Sequence, residues 1–192
     1  MEPSDAQLVE KAQAGDGEAF GELVRRHSRY LFGVAYRVTG DEGLAEDVVQ
    51  DAFLKAWERL DRFDFRAQFT TWIYRIAVNR AIDVLRRRGK MSEPFDATEA
   101  EARHGLVDEL HPQRAAESAE LTRLREAALA AMSPMERTSF VLRHMEGRSI
   151  AEIGEVLGVR SGATKHAVFR AVKKLRAALE PYLGGGREAA VG

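Results

Sequence analysis

Apolar residues recur along this chain at intervals of three and four, and nowhere as an alternating β-branched run between turns, so helices are predicted and strands are not. Ser4-Asp5-Ala6-Gln7 has the spacing of a capping box and opens a helix that reaches about Ala14, with Gly15 as its stop. Asp16 caps a second helix, in which Phe20, Leu23, Val24, His27, Tyr30, Leu31, Val34 and Ala35 recur at helical spacing. Gly40-Asp41 breaks that pattern and starts a third helix, Leu44 to Leu60. A fourth runs from about Thr70 to Arg88 with Trp72, Ile73, Ile76, Ala77, Ile82 and Leu85 as its apolar members, and Gly89 is expected to close it.

From 90 to 115 the periodicity is lost among Pro94, Pro112 and several Glu and Ala, which reads as a linker with a helical turn around Ala97 to Arg103. Helical signals resume near Ala116, and the first helix there ends around Ala131-Met132. Ser133-Pro134-Met135-Glu136 combines an N-cap Ser, a Pro at the first helical position and a Glu three residues after the cap. Ser149-Ile150-Ala151-Glu152 repeats the device and opens a short helix to Leu157, after which Gly158 supplies a left-handed turn. A last helix runs from about Gly162 to Leu179, with Pro181 and Gly184-Gly185-Gly186 ending order. The expected fold is all-α: two small helical domains, 1–90 and 116–183, joined by a flexible acidic linker, 91–115, and followed by a disordered tail, 184–192.

Composition narrows the class. At 192 residues, 45% apolar and 31% charged, the chain can build modest cores and is not disordered throughout. It has no Cys, which excludes disulfides, thiolate nucleophiles and Cys-ligated metals. No apolar run approaches the roughly 20 residues of a membrane span. The Met1-Glu2-Pro3-Ser4-Asp5 start is acidic where a signal peptide is basic, so a cytoplasmic location is expected.

Charge is segregated behind a net −1. Residues 91–120 hold 8 acids against 2 bases, whereas 121–192 hold 12 bases against 7 acids, so the C-terminal part is suited to polyanions. The first domain is divided too: 41–64 hold 8 acids against 3 bases, and 75–90 hold Arg75, Arg80, Arg86, Arg87, Arg88 and Lys90 against Asp83 alone.

Residues 150–169 have the pattern of a DNA-binding helix-turn-helix. Ile153, Leu157, Val159 and Val168 would pack its helices, Gly154 allows close approach and Gly158 makes the turn. The second helix turns Ser161, Lys165, His166, Phe169, Arg170 and Lys173 outward, and 160–176 hold six bases and no acid. Phosphates demand cations, and base edges demand polar or apolar tips near the helix start. The plainer reading is a basic solvated helix. Thr164 departs from the pattern, because that position is normally buried and aliphatic.

Phe63, Phe65, Phe69, Trp72 and Tyr74 lead into the Arg-rich end of the fourth helix, an interleaving suited to unstacked bases of a single strand. Phe69 and Trp72 also fit a core face, the commoner fate of large aromatics. Arg66, Gln68, Asn79 and Arg80 are polar neighbours of that face and the better ligand candidates. In the third helix, Asp47, Gln50, Asp51, Leu54 and Glu58 lie opposite the apolar stripe. A metal or acid–base role for Asp47 and Asp51 lacks supporting His or carboxylates, so no metal, cofactor or catalytic residue is expected. An exposed Leu54 amid carboxylates reads as a protein-docking face.

The stretch Ala45-Glu46-Asp47-Val48-Val49-Gln50-Asp51-Ala52-Phe53-Leu54-Lys55-Ala56-Trp57, followed by Phe69-Thr70-Thr71-Trp72-Ile73-Tyr74-Arg75-Ile76-Ala77-Val78-Asn79-Arg80-Ala81-Ile82-Asp83, resembles region 2 of bacterial sigma factors. The layout is similar to the extracytoplasmic-function type, with regions 2 and 4 and only a linker between. That resemblance implies an alternative sigma factor that binds core RNA polymerase through its β′ clamp helices and β subunit, directs it to promoter DNA and starts melting. Asp47, Gln50, Asp51 and Leu54 would dock on the clamp helices. The loop from Phe65 to Thr71, with Arg66, Gln68 and Phe69, would capture a flipped minus-10 base. Asn79, Arg80 and Arg86 would touch nearby DNA. Arg160 and the following helix, through Ser161, Lys165, His166, Phe169, Arg170 and Lys173, would read the minus-35 element.

Family members are usually held inactive by an anti-sigma factor, and no small-molecule substrate is implied. Met132-Ser133-Pro134 stands where the family usually has Leu-Pro. Gly162-Ala163-Thr164-Lys165-His166-Ala167 replaces the common Gly-Thr-Val-Lys-Ser-Arg, which implies an altered minus-35 preference read mainly by Lys165 and His166.

Three rivals compete. A stand-alone helix-turn-helix regulator would leave the Asp47–Leu54 face and the aromatic–Arg helix without purpose. An enzyme of nucleic acids lacks a carboxylate or His cluster. A polymerase-binding protein that does not read promoters would not need the basic face of Lys165, His166 and Arg170.

Overall fold

The computed structural model describes residues 2–91, 124, 127–129 and 131–183. The linker reading of 91–115, the helix start near Ala116 and the tail 184–192 therefore lie largely or wholly outside the described residues. Four helices make the first unit: α1 (Asp5–Gln13), α2 (Gly17–Thr39), α3 (Glu42–Glu58) and α4 (Phe69–Met91), with a 3-10 turn at Leu60–Arg62. The second unit includes, among the described residues, α5 (Pro134–His144), α6 (Ile150–Leu157) and α7 (Ser161–Leu183), preceded by helical residues at 127–129.

The starts follow from short polar side chains that satisfy the orphan amides of each first turn. Ser4 and Gln7 form a reciprocal capping box on α1. The Asp16 carboxylate accepts from the Glu18 and Ala19 amides at 3.0 and 3.1 Å, and Asp41 accepts from Leu44 at 3.0 Å. Gly40 ends α2 with φ of 69°, a left-handed conformation that a side chain would resist.

Several boundaries differ from expectation, among them the end of α3, which stops at Glu58 and leaves Leu60 to the 3-10 turn. Asp41 caps α3 two residues earlier than the apolar pattern starts, so the helix begins at Glu42. Gly89 does not close α4, which continues to Met91; a single Gly costs a helix only about 1 kcal/mol, which packing elsewhere along α4 offsets. Likewise α7 passes Pro181 and ends at Leu183, because a Pro in the last turn removes one hydrogen bond without breaking the helix.

α2 packs on both α3 and α4, and α1 lies across α2. Leu23, Leu31, Val34, Val38, Val48, Ile73 and Val78 are fully buried between them, each contributing roughly 1.5–3 kcal/mol by leaving water. In the second unit α5 and α6 pack on α7, burying Val141, Leu142, Ile153, Ala167 and Ala171. The units also touch. α5 and α6 lie against α4, the Arg37 guanidinium pairs with Glu146 (Nε to Oε1, 2.9 Å), and Arg148 lies 5.1 Å over the Tyr74 ring.

Candidate docking face and nucleic-acid interfaces

Helix α3 buries Ala45, Val48, Ala52, Phe53 and Ala56, and this phase leaves Asp47, Gln50 and Leu54 in solvent, Leu54 being 55% exposed. Beside them α2 and α3 form an open, mostly apolar groove of about 560 Å³ whose lining includes Val24, Phe32, Val49, Gln50 and Phe53. The α2 side of this groove is invisible to a pattern reading, because Val24 and Phe32 carry the helical period of core residues. Asp51, assigned with the docking face, turns instead toward α4: Arg80 Nε donates to its Oδ2 at 2.6 Å. Arg80 is thereby half-buried and tied into the bundle rather than extended toward a ligand.

The aromatic segment divides in two. Phe69 is 3% exposed, wedged among Phe63, Trp72 and the His27 ring, so it cannot stack on a base and its assignment as a DNA-contacting residue is corrected to core. Trp72 is half-buried on the same cluster. Phe65, by contrast, is 43% exposed and lies edge-on to Phe63 with centroids 5.0 Å apart. It holds φ of 60°, a left-handed value rare outside Gly and costing on the order of 1 kcal/mol or more.

The strain is held from two sides. The Arg66 amide donates to Asp64 Oδ1 at 3.2 Å, and Gln13 Nε2, from the end of α1, donates to the Leu60 and Phe63 carbonyls at 2.8 and 2.9 Å. Exposed Arg66 and Gln68, with Phe65, line a recess of about 530 Å³ whose far wall is the start of α1 at Ser4 to Ala6. Neither Gln13 nor the α1 wall carries a local sequence signal, since Gln13 reaches Phe63 across 50 residues and the α1 wall lies farther still from the loop in sequence.

Farther along α4, Arg86 is exposed beside Asp83. The Asn79 amide donates to the Arg75 carbonyl at 2.8 Å and, across the units, to the Val156 carbonyl at 3.1 Å.

The helix-turn-helix is formed by α6 and α7. Ser149 and Glu152 cap α6 reciprocally, Gly158 turns the chain at φ of 65°, and a Cβ on Gly154 would meet the Val159 carbonyl at 2.9 Å. Arg160, Ser161, Lys165, His166, Phe169, Arg170 and Lys173 are all exposed, so the sequence phase of α7 is the structural one. Thr164 is fully buried, its hydroxyl directed to the Arg160 carbonyl at 3.5 Å, which is how a polar residue fits an aliphatic position. Ala167 is also fully buried.

A buried carboxylate joins two of the helices of this domain. Glu136, 4% exposed, accepts from the Ser133 amide at 2.9 Å, Arg170 Nε at 2.7 Å and Lys174 Nζ at 2.7 Å. Burial opposes its ionisation and is the largest single influence. The bonds from Lys174, Ser133 and Arg170, with the Lys174 charge, outweigh it and hold the carboxyl down to about 2. The sequence placed Glu136 only as a cap, because its other partners are 34 and 38 residues away.

An acidic face with an exposed leucine, an aromatic–cationic recess and a cationic helix of a helix-turn-helix, on a chain whose described elements are helices, are the features of a helical transcription factor. The Sigma-70 region 2 family matches residues 23–91 and the Sigma-70 region 4 family matches 125–175. The RNA polymerase sigma-H factor of Pseudomonas aeruginosa is 35% identical over 184 residues, covering 93% of this chain and 95% of that one. The ECF sigma factor SigW of Bacillus subtilis is 32% identical, covering 92% and 97%, and the ECF sigma-E factor of Escherichia coli is 33% identical, covering 94% and 96%. Among solved structures, CnrH in complex with the cytosolic domain of CnrY superposes with a TM-score of 0.61 at 31% identity, covering 91% and 96%. The chain belongs to the extracytoplasmic-function sigma factors: it is an alternative sigma factor that binds core RNA polymerase and directs it to promoters. Among the described residues no helix is long and apolar enough to cross a membrane.

Proposed function

We propose that three surfaces divide the work of initiation. Asp47, Gln50 and Leu54 on α3, with the adjoining α2 groove, dock on the β′ clamp helices, while the second unit meets the β subunit. Asp51 supports that face by holding Arg80 rather than by touching polymerase. Phe65, Arg66 and Gln68 receive an extruded minus-10 base, with Arg86 on the flanking phosphates. Arg160, Ser161, Lys165, His166, Phe169, Arg170 and Lys173 enter the major groove of the minus-35 element. The observation that carries this reading is Phe169, 68% exposed among cations. An aromatic in that position has no core to serve, and its ring suits the apolar edge of a thymine.

The protein acts by binding alone, in the cytoplasm with the polymerase, and catalyses no bond change. Two weak readers on one holoenzyme act at high effective concentration on spaced elements, and binding of the extruded base offsets the few kcal/mol of unstacking. Domain limits of 1–90 and 116–183, with 91–115 as connector and 184–192 as tail, follow from this division. CnrH is solved in complex with the cytosolic domain of CnrY, which supports a protein partner for this chain too, and an anti-sigma factor is the partner proposed.

The test is run-off transcription with bacterial core polymerase on a pool of promoter fragments. Initiation on fragments sharing two spaced elements, lost on Leu54→Arg, is the expected result. Tight duplex binding by the isolated protein without added initiation would favour a stand-alone regulator.

A further inference from the structure

Capping carboxylates sit as a rule on the surface, with one backbone amide to satisfy. Glu136 instead lies between α5 and α7 and gathers two cations from α7 besides its own cap. Lys174 also donates to the Ala131 carbonyl at 2.9 Å, so the pair fixes α7 against both the start of α5 and the turn before it. The bond from Arg170 runs through Nε, at 2.7 Å. A guanidinium has five N–H donors in a rigid plane, and a bond through Nε occupies its inner edge while leaving the outer edge between the two terminal nitrogens unengaged by Glu136. The Arg170 side chain is 57% exposed, on the same outward face as His166, Phe169 and Lys173. The fork is the part of Arg that matches two acceptors on one guanine edge.

We infer that Glu136 is a positioning residue for promoter reading: it holds Arg170 by its inner nitrogen and presents the outer fork to a base edge in the upstream element. The inference rests on α7 being the minus-35 reader. Its physical basis is preorganisation. A free Arg must be ordered when DNA arrives, whereas this one is ordered beforehand by a carboxylate that DNA does not touch. Lys174 balances the second carboxylate oxygen, so the buried charge is compensated and does not need to draw Arg170 farther inward.

The experiment measures holoenzyme binding to a promoter fragment carrying both elements and to one whose upstream element is scrambled. Glu136→Gln keeps an acceptor for the Ser133 amide and removes the charge that orients Arg170. It is expected to weaken binding to the intact promoter roughly tenfold, within the range of one lost base contact, and to leave the scrambled promoter unaffected. Arg170→Ala is expected to lose about as much, and the double variant no more than Arg170→Ala alone. Arg170→Lys keeps the charge and the ion pair but not the fork, and is expected to fall like Arg170→Ala.

Wild-type binding by Arg170→Lys overturns the inference, since a merely structural ion pair would survive that change. Additive losses in the double variant, or an equal loss on both promoters, overturn it as well. A wild-type holoenzyme indifferent to scrambling overturns instead the assignment of α7 as the minus-35 reader.

Discussion

Asp51 and Arg80 are each other's partners, joined across α3 and α4 by an Nε–H to Oδ2 bond of 2.6 Å. Each had a separate external role on sequence grounds, one on the acidic helix and one on the basic helix. The pair marks where those two surfaces meet and ties the proposed docking face on α3 to its packing on α4.

Reversing the charge at Asp51 is therefore a poor probe of polymerase binding. Asp51→Arg leaves Arg80 without its acceptor and beside a second cation, and is expected to cost about 1–3 kcal/mol of stability as well as holoenzyme assembly. Leu54→Arg alters an exposed side chain, expected to move stability by less than about 0.5 kcal/mol while abolishing assembly. Denaturant unfolding alongside a core-polymerase titration separates the two. Equal stability losses would remove the supporting role assigned to Asp51.

Gln13 braces, from the far end of α1, the loop that lines the proposed minus-10 recess. Gln13→Ala removes both bonds to the Leu60 and Phe63 carbonyls, with an expected cost of about 1–2 kcal/mol. Permanganate reactivity of the minus-10 thymines in the holoenzyme complex is expected to fall while upstream protection is retained. Loss of both signals together would mean that Gln13 stabilises the chain without shaping the loop.

Phe65 separates strain from function. Phe65→Gly relieves a left-handed φ of 60° and is expected to leave thermal stability unchanged or slightly higher, yet to reduce promoter opening. Opening at the wild-type level would show that the exposed ring has no part in holding the strand.

The pH dependence of Glu136 has a definite sign. Its folded-state pKa of about 2 lies below the ordinary 4.5, so the unfolded chain binds more protons between these values. The ionised group stabilises the fold at neutral pH, and that contribution is lost as pH falls from about 4.5 toward 2. Urea unfolding should show wild type and Glu136→Gln differing by a constant amount from pH 5 to 8 and converging below that window. A gap that widens on acidification would contradict the sign.

His166 stands exposed in the first part of α7, where the family commonly has Ser. Exchanging His166→Ser is expected to shift the upstream sequences selected from a randomised promoter library. An unchanged selection would leave the altered preference without support.

Much of the fold was legible because it is local. Capping boxes at Ser4, Ser133 and Ser149, the Asp16 and Asp41 caps and the left-handed Gly40 and Gly158 all act within four residues, so spacing alone reveals them. The outward face of α7 was legible for the same reason, since one helical period fixes which residues share a side. Phe69 was ambiguous because a large aromatic beside cations suits a core or a base equally, and only the Phe63, Trp72 and His27 rings around it resolve the choice.

By itself, then, the sequence determined the helices, their phases, the class of fold and the family, all of which depend on periodicity and short-range chemistry. The tertiary structure alone decided the partners. Asp51 turns to Arg80, Gln13 reaches the Phe63 carbonyl beside the strained loop, and Glu136 gathers Arg170 and Lys174, at separations of 29 to 50 residues. No local pattern encodes such pairings, because which cation a carboxylate meets is set by how whole helices pack, and packing is a property of the assembled core.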